Sequence, residues 1–327
     1  MAADALMARG TGPLMRVLVV GATGHVGGYL VPSLVRAGHD VVAMSRGKQR
    51  LYRDDDAWGS VETVQLDREA AEAGGTFVDA VLAARPDAVI DMICFEPVSA
   101  AELVAGLAGN VERLLMCGTI WVHGPTSAAP TRESDVRRPY GEYGTKKAQI
   151  ERIVLGSDVP AVVLHPGHIS GPGWPVINPV GNIDPVVWRT LAEGAELAVP
   201  NDGVATMHHV HAADVAAAFE LALGNAGAVG EAFHVVSERA LSTRGLAEAA
   251  ASWFGREPVL RAVSWEEFEA QTTPEHAAAS REHLQRSHVM SIEKAKAVLG
   301  YTPRYTSEQA VHEAVDWLVE HDGLLRD

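Results

Sequence analysis

Three shortages in the sequence each exclude a class of protein. Only two of its 327 residues are cysteine, Cys94 and Cys117, which excludes a disulfide framework and predicts reduced, buried thiols in a cytoplasmic protein. Lys and Arg number 27 against 42 Asp and Glu, and the net charge of −15 argues against a nucleic-acid partner, since phosphate binding needs clustered cations. No apolar run reaches the ~20 residues that span a bilayer, so no membrane partner is expected either.

The sequence does contain enough apolar residues for a large core. Hydrophobic residues make up 47% of the chain, and its length can hold one large α/β unit or two lobes. Residues 1–14 contain no apolar run of signal-peptide length. We expect them to form a flexible tail, with Met15 as a candidate translation start.

The stretch RVLVVGATGHVGGYL, residues 16–30, carries the strongest signal in the chain. Residues 17–20 are apolar and mostly β-branched, as in a central strand that is buried on both faces. The glycines that follow suit a tight turn, a close approach of a pyrophosphate to the backbone, and close packing of a helix on the sheet. The helix N-terminus adds unpaired N–H groups and the positive end of its dipole. The stretch predicts a dinucleotide site, with a plain structural turn as the alternative. The expected coenzyme contacts here are Gly21, Thr23, Gly24, His25, Val26 and Gly27.

The turn after the second predicted strand, residues 39–44, bears on the choice of coenzyme. In a dinucleotide-binding fold this turn faces the adenosine ribose, where an acidic residue would bind the 2′-hydroxyl and repel a 2′-phosphate. Ser45 and Arg46 stand there, with Lys48 and Arg50 nearby. NADP(H) is therefore favoured over NAD(H), and an ordinary solvated basic turn is the alternative.

Two further strand ends are expected to border the coenzyme. The third predicted strand, residues 61–66, is followed by Asp67, a candidate partner for the adenine amino group. The fourth, residues 88–94, is expected to pass under the coenzyme at its end. That end consists of Met92, Ile93 and Cys94.

Residues 117–124 and 140–147 carry the candidate chemistry. Tyr143 and Lys147 are four residues apart, so on one helix they share a face. A tyrosine alone has a pKa near 10, but a neighbouring ammonium favours its phenolate and lowers that pKa. Thr119, at the end of a predicted strand, can hold a substrate carbonyl or hydroxyl by a hydrogen bond. Together the three side chains can relay a proton opposite a hydride donor.

Two neighbouring residues are expected to be structural. Tyr140 is a spare candidate for the catalytic tyrosine, but Gly144 stands where its lysine would be. Lys146 points about 100° away from Lys147 on a helix. The sequence therefore favours Tyr143 and Lys147.

Residues 166–182 are expected to lead from the coenzyme to the substrate. Backbone amides of the turn that contains Pro166, Gly167 and Ile169 are expected to fix the nicotinamide carboxamide. The Gly- and Pro-rich stretch that follows is interpreted as the start of a substrate-facing segment, and simple packing of its side chains is the alternative. The expected substrate contacts are His168, Trp174 and Asn178.

His209 and His211 fall on one face of an extended strand, and two histidines at that spacing could bind zinc. No third and fourth ligand with metal-site spacing is evident in the sequence. No metal site is therefore predicted, and hydrogen-bonded pairing of these side chains is expected instead.

Taken together, these motifs resemble the extended short-chain dehydrogenase/reductases, the NAD(P)-dependent epimerase/dehydratase family. The similarity runs over almost the whole chain from Met15. The resemblance implies a catalytic triad of Thr119, Tyr143 and Lys147 with Tyr143 as acid/base, a pyrophosphate at the glycine turn, and a C-terminal lobe that grips the substrate. The motifs that carry it are GATGHVG (21–27), TIWVHG (119–124), YGTKK (143–147), HPGHISGP (165–172), HHVHAADV (208–215), GEAFHVVS (230–237) and SIEKAKAVLGYTP (291–303).

The departures from the family pattern narrow the expected activity. Family dehydratases usually carry an acidic pair where this chain has Ile120 and Trp121, which argues against 4,6-dehydration of a sugar nucleotide. Sugar-nucleotide enzymes often have an Asn at the position of His168, and an Arg where residues 205–207 read ATM. No diphosphate clamp is therefore visible in the sequence.

We predict an α/β protein with a Rossmann-like, doubly wound parallel sheet and a smaller C-terminal substrate-binding lobe. Residues 15–170 would bind NAD(P), with 207–236 returning to that domain, and residues 171–206 and 237–327 would form the lobe. The predicted activity is NADP(H)-dependent reduction of a ketone, or oxidation of a secondary alcohol, in a small-molecule substrate. A nucleotide-sugar epimerase with NAD is the alternative, and a non-catalytic dinucleotide-binding module is the third hypothesis. Relatives often pair through the helix that carries Tyr143, so a homodimer is expected.

Overall fold

The first half of the chain alternates strands and helices, as the sequence predicts. The computed structural model describes residues 13–48 and 53–325. Most of the predicted tail, residues 1–12, lies outside the described residues, and so does Arg50 of the basic turn after the second predicted strand. The elements of this half are β1 (Arg16–Val20), α1 (Gly27–Arg36), β2 (Asp40–Ser45), β3 (Glu62–Gln65), α2 (Arg68–Ala73), α3 (Phe77–Ala83), β4 (Ala88–Asp91), α4 (Pro97–Leu107), β5 (Arg113–Cys117), α5 (Gly141–Leu155) and β6 (Ala161–Pro166).

The second half contains shorter strands and more helices. In chain order they are β7 (His168–Ser170), α6 (Pro185–Glu193), β8 (Glu196–Pro200), β9 (Thr206–Met207), β10 (His209–His211), α7 (Ala212–Leu223), β11 (Ala232–Val235), β12 (Leu241–Ser242), α8 (Thr243–Trp253), β13 (Val259–Val263), α9 (Trp265–Ala270), α10 (Pro274–Leu284), α11 (Glu293–Leu299) and α12 (Ser307–His321). None of the helices in the described ranges is both long and apolar enough to cross a membrane.

Seven strands form one parallel sheet in the order β3-β2-β1-β4-β5-β6-β11. Helices cover both faces, so β1 is buried on both sides: Val17 and Val19 join one apolar cluster with α1 and α7. Leu18 and Val20 join the other, with α3, α4 and α5. The predicted α/β, Rossmann-like, doubly wound parallel sheet is confirmed. The strand order reverses beside β1, so the ends of β1 and β4 open a crevice where such sheets bind ligands.

A third apolar cluster lies away from the sheet. It includes Trp188 and Leu191 of α6, Leu246 of α8 and Val311 of α12. Short two-stranded sheets border it, pairing β8 with β13 and β9 with β12. The chain thus builds a second, smaller core mainly from residues after 175.

The structure differs from the sequence-based expectation in the region of residues 68–84. The sequence predicts a helix over 75–84, which the structure has as α3 (Phe77–Ala83), and it does not predict α2 (Arg68–Ala73) before it. Asp67 caps α2 by accepting a hydrogen bond from the Ala70 N–H at 3.4 Å, and the Gly74–Gly75 pair, with Gly75 at φ +67°, separates the two helices. A residue with a left-handed backbone cannot continue a helix, which explains the break.

Candidate active site

The glycine turn between β1 and α1 has the geometry that its sequence predicts. Gly21 has φ +84°, and its N–H donates to the Met44 carbonyl of β2 at 2.9 Å. A Cβ atom at Gly27 would lie 2.1 Å from the Ala22 carbonyl oxygen, so only glycine lets α1 approach the turn this closely. The expected structural roles of Gly21 and Gly27, a tight turn and close helix packing, are confirmed.

A cavity of about 410 Å³ opens beside this turn. Most of its wall comes from the ends of β1 to β4, which is the crevice of the sheet. The predicted coenzyme residues on the wall are Gly21, Thr23, Gly24, Ser45, Arg46, Asp67 and Ile93. Lys48 of the predicted basic turn is also on the wall, and the wall residues that sequence reasoning had not connected with the coenzyme include Arg68, Glu69, Glu72, Phe95, Glu96 and Ser99.

Two basic side chains stand at the β2 end of the cavity. Arg46 and Lys48 both lie on the wall, and the Lys48 ammonium is 3.5 Å from a carboxylate oxygen of Asp67. The polar rim at the expected adenosine end therefore carries both signs of charge. Glycines and a helix N-terminus at one end, with cations at the other, fit a dinucleotide that bears phosphates.

A buried ion pair beneath the cavity was missed from the sequence. Arg68 donates to both carboxylate oxygens of Asp91 at 2.8 and 2.9 Å, and to Glu72 at 2.6 Å. Asp91 also accepts the Ile93 N–H at 3.0 Å, so the pair fixes the chain as it leaves β4. The signal that could have found it is the single charge in the apolar run 88–94, because a buried charge needs a partner.

Several predicted coenzyme contacts do not reach the cavity wall. The Gly167 N–H donates to the Val235 carbonyl at 3.1 Å, so the expected bond from this amide to a carboxamide is not available. A Cβ atom at Gly167 would lie 2.2 Å from the His208 carbonyl oxygen, so close packing explains this glycine. The predicted residues absent from the wall are His25, Val26, Gly27, Met92, Cys94, Pro166, Gly167 and Ile169.

Thr119, Tyr143 and Lys147 come together next to this cavity, where β5 ends and α5 begins. Lys147 is almost fully buried, and its ammonium donates to the carbonyls of Cys94 at 2.8 Å and Cys117 at 2.9 Å. The same ammonium is 5.8 Å from the centre of the Tyr143 ring. The Tyr143 residue is 41% exposed, and its hydroxyl lies close enough to the buried Thr119 side chain for that side chain to affect its pKa.

The electrostatics of Tyr143 differ from the sequence-based expectation. Burial of the hydroxyl raises its pKa well above the usual value, the nearby Cys117 thiol raises it further, and the Thr119 hydrogen bond lowers it. Lys147 does not lower this pKa as expected, because its ammonium faces two backbone carbonyls. Burial in turn lowers the pKa of Lys147. In this structure Tyr143 is therefore a neutral phenol at physiological pH.

Aromatic side chains surround Tyr143. The Trp121 ring meets it edge-on at 5.6 Å between ring centres, and Phe95 lies at 6.5 Å. Behind Trp121, the Arg286 guanidinium stacks between Trp121 at 3.6 Å and Tyr140 at 4.0 Å. The Tyr140 hydroxyl donates to the Glu282 carbonyl at 3.3 Å, which fits the structural role expected of this spare tyrosine.

The predicted substrate residues occupy three different environments. His168 is buried next to the His209 and His283 rings, at 5.4 and 5.3 Å between ring centres. Trp174 stacks on the His25 ring at 5.3 Å and forms part of the cavity wall, so it lies on the coenzyme side. Asn178 does not fit a substrate contact.

Asn178 is fully buried and organises its own loop. Its amide nitrogen donates to the Asn182 side chain at 2.6 Å and to the Asp184 carbonyl at 3.1 Å. Its amide oxygen accepts the Val180 and Asn182 N–H groups at 3.0 and 3.3 Å. Both ends of the side chain are thus engaged within the loop, which corrects the expectation of a substrate contact.

Histidines fill much of the space below and beside the triad. Nine of the 14 are buried, and burial lowers the pKa of His123 and His209 to about 3. His211 accepts the Ala213 N–H at 3.0 Å and caps α7, so a structural hydrogen bond explains it. Over residues 13–48 and 53–325, no three histidine, cysteine or acidic side chains are arranged to hold a metal ion.

Comparison with known proteins places this architecture in a family. The model of the NAD dependent epimerase/dehydratase family matches residues 17–235. The chain belongs to this family. It is accordingly an NAD(P)-dependent enzyme of the oxidoreductase/epimerase type, and the resemblance to extended short-chain dehydrogenase/reductases is confirmed.

Relatives of this epimerase/dehydratase family member include reductases and epimerases. It is 30% identical to the 2′-dehydrokanamycin reductase of Streptomyces kanamyceticus over 77% of this chain and 70% of that protein. It is 23% identical to the UDP-glucose 4-epimerase of Lacticaseibacillus casei over 94% of this chain and 98% of that protein. Its fold matches the Bordetella bronchiseptica enzyme WbmG, crystallised with NAD, with a TM-score of 0.72 and 18% identity over 96% of each chain.

Proposed function

We propose that this family member is an NADP(H)-dependent ketoreductase that acts on a small carbonyl compound. The observation that carries the proposal is the meeting of Thr119, Tyr143 and Lys147 beside the glycine-turn cavity. The residues that would hold the coenzyme are Gly21, Thr23 and Gly24 at the pyrophosphate, and Ser45, Arg46 and Lys48 near the 2′-phosphate. The second core, outside the sheet, would supply the substrate-binding lobe.

The triad suits reduction of a carbonyl because its tyrosine is protonated and can act as an acid. When bound, the nicotinamide coenzyme supplies the hydride. Tyr143 is protonated at neutral pH, since burial raises the pKa of its hydroxyl, so it can donate that proton to a substrate carbonyl oxygen. Thr119 can donate a second hydrogen bond to the same oxygen. Lys147 uses two of its three donors on backbone carbonyls, which leaves one for the coenzyme ribose.

The side chains around Tyr143 bear on the class of substrate. Trp121 and Phe95 offer aromatic faces, and the sequence has no carboxylates at 120–121 to assist dehydration. Arg286, the cation nearest to Trp121, is buried between two rings and bonded to the carbonyls of Glu282 and Tyr140. A carbonyl compound with an apolar or flat face next to the ketone suits these walls better than a sugar diphosphate.

Substitution of the two tyrosines tests the proposed acid. Tyr143→Phe is expected to lower kcat for NADPH-dependent ketone reduction by 10²–10⁴-fold, the range of a lost general acid. Tyr140→Phe is the matched control, because it removes only the bond to the Glu282 carbonyl and keeps the ring under Arg286. A Tyr143→Phe variant with full turnover would refute the assignment.

Substitution of Arg46 tests the coenzyme preference. Arg46→Ala is expected to weaken NADPH binding by about 10- to 100-fold, the equivalent of one charge-assisted hydrogen bond, and to leave NADH binding unchanged. Arg36→Ala is the control, since Arg36 pairs with Asp55 instead of facing the cavity. Titration by fluorescence gives both affinities, and equal losses for the two coenzymes would contradict the NADP(H) preference.

An NAD-dependent epimerase is the second candidate, favoured by the alignment with the Lacticaseibacillus casei epimerase over nearly the full length of both chains. An epimerase re-reduces its own coenzyme in every cycle. Purified protein that retains NAD⁺ and converts a sugar nucleotide without net coenzyme consumption would favour it over the ketoreductase. Substrate-dependent oxidation of added NADPH would favour the ketoreductase.

We further propose that the enzyme is cytoplasmic and forms a homodimer. Two reduced, buried cysteines suit a cytoplasmic enzyme. A homodimer would pair copies through α5 and its neighbour α4. Sedimentation at several concentrations would detect the dimer, and a single monomeric species at micromolar concentration would contradict it.

A further inference from the structure

One buried imidazole supports the peptide that carries Thr119. His165, near the end of β6, has no exposed surface, and its Nδ1 accepts the Thr119 N–H at 2.9 Å. A Cβ atom at Gly118 would lie 2.3 Å from Nδ1 and 2.6 Å from the adjacent ring carbon. The ring therefore fills the space that a side chain at 118 would need, and the turn out of β5 rests on it.

The Thr119 hydrogen bond fixes the tautomer of His165. Because Nδ1 accepts a hydrogen bond, it carries no proton, and the ring proton of the neutral imidazole lies on Nε2. That atom is 3.4 Å from a carboxylate oxygen of Glu151 in α5, and neither atom makes a hydrogen bond within the described residues. The other oxygen of Glu151 is 2.6 Å from the Arg137 guanidinium. Although burial raises it, the His165 and Arg137 contacts hold the pKa of Glu151 below its usual value. The carboxylate therefore remains charged opposite Nε2.

These contacts run from Thr119 through His165 and Glu151 to Arg137. Thr119 bears the hydroxyl that would hold the substrate oxygen, and Arg137 and Glu151 line a second cavity of about 570 Å³. A shift of 1 Å in a group next to the chemistry can cost about 10²-fold in rate. The Thr119 hydroxyl also accepts the Trp121 N–H at 3.3 Å, so a tilt of this peptide would move both Thr119 and the aromatic wall.

We propose that His165, in the Nε2–H tautomer that the Thr119 N–H requires and with Nε2 facing Glu151, is a positioning residue that fixes Thr119 for the reaction. The inference rests on the proposed function, because Thr119 matters to the rate only if the triad is catalytic. His165 itself touches no reacting group and transfers no proton in this account. Its role is to hold the Thr119 backbone at one angle.

Two substitutions of His165 separate positioning from packing. His165→Leu removes the acceptor and is expected to lower kcat by about 10- to 100-fold while KM for NADPH stays within about twofold. His165→Asn places an amide oxygen close to the position of Nδ1 and is expected to restore kcat to within about fivefold of the wild type. Full activity of His165→Leu, or an equal loss in both variants at equal stability, would overturn the proposal.

His208→Leu is the matched control. His208 is also buried, and its Nδ1 also accepts a backbone N–H, that of Met290 at 3.0 Å. Its loss is expected to reduce stability by a similar amount without the fall in kcat. If His208→Leu lowers kcat as much as His165→Leu does, the loss reflects the removal of any buried imidazole, and the positioning role is refuted.

A spectroscopic readout on the wild-type protein is independent of folding of the variants and of the substrate. ¹⁵N NMR of the labelled histidines is expected to give His165 as Nε2–H with an unprotonated Nδ1, and Glu151→Gln should shift the His165 nitrogens more than those of His208. A wild-type His165 protonated at Nδ1 would overturn the inference. If His165 is found as the Nε2–H tautomer but Tyr143→Phe keeps full turnover, the proposed function is refuted, whereas the tautomer assigned to His165 stands.

Discussion

Acid should unfold this protein at an unusually mild pH, because so many of its imidazoles are buried and neutral. Burial lowers the pKa of His25 and His208 to about 4. It lowers the pKa of four more histidines to about 3, namely His123, His209, His211 and His288. Histidines in the unfolded chain take up protons near pH 6.5. As the pH falls below 6.5, the unfolded state therefore binds more protons than the folded state, and stability that is fully present above 6.5 is lost progressively towards pH 3–4.

The size of the effect follows from these six groups. Each costs about 1.4 kcal/mol of folding stability for every pH unit below 6.5. At pH 5.5 the total is on the order of 8 kcal/mol, against the 5–15 kcal/mol that stabilises a typical protein. Carboxylates titrate below this window, so they do not offset the loss. We expect half-unfolding between about pH 5 and 6 at 25 °C.

Urea denaturation between pH 5 and 8, followed by circular dichroism, measures this loss. His209→Leu should leave stability at pH 7.5 unchanged or higher, since both His209 ring nitrogens are buried without a partner among the described residues. It should also reduce the acid slope by about 1.4 kcal/mol per pH unit. Val215→Ala, a core change without a titrating group, should lower stability by about 2 kcal/mol equally at every pH. A constant free energy of unfolding from pH 7.5 to 5 would refute the reasoning.

Two further predictions concern the glycine turn and the loop of Asn178. Gly27→Ala should destabilise the protein by about 3 kcal/mol or more and weaken coenzyme binding, because its Cβ would overlap the Ala22 carbonyl. Gly28→Ala, where a Cβ meets nothing within 4 Å, should stabilise the helix by up to about 1 kcal/mol; equal thermal shifts for the two variants would contradict the packing argument. Asn178→Ala should cost about 2–4 kcal/mol in urea denaturation, since it leaves buried N–H groups without an acceptor. The folded fraction should keep its KM for the carbonyl substrate. A tenfold rise in that KM at unchanged stability would show that Asn178 contacts the substrate after all.

The parts of the site that the sequence predicted are those encoded locally. The strand, turn and helix around Gly21 depend on neighbours within a few residues, and Tyr143 and Lys147 depend on one helical period. The ends of parallel strands meet at one edge of a sheet, so Ser45, Asp67 and Ile93 could also be placed on one cavity from their positions in the chain.

The parts that the sequence did not predict depend on contacts between distant segments. The Arg68–Asp91 pair and the His165–Thr119 bond join residues 23 and 46 positions apart, and no local pattern specifies either. The pKa of Tyr143 likewise depends on the burial of its hydroxyl and on its neighbours Cys117 and Thr119, which the spacing of Tyr143 and Lys147 does not reveal. The start of α10 has a local signal in the sequence, because Thr273 caps the helix and Pro274 follows at its first position.

A crystal structure of the protein with NADPH would show whether the triad faces the coenzyme. We expect the dinucleotide along the glycine-turn cavity, with the reactive carbon of the nicotinamide ring within about 3 to 4 Å of the space between the Thr119 and Tyr143 hydroxyls. A nicotinamide ring bound far from Tyr143, or a cavity that stays closed to the coenzyme at saturating concentration, would contradict it.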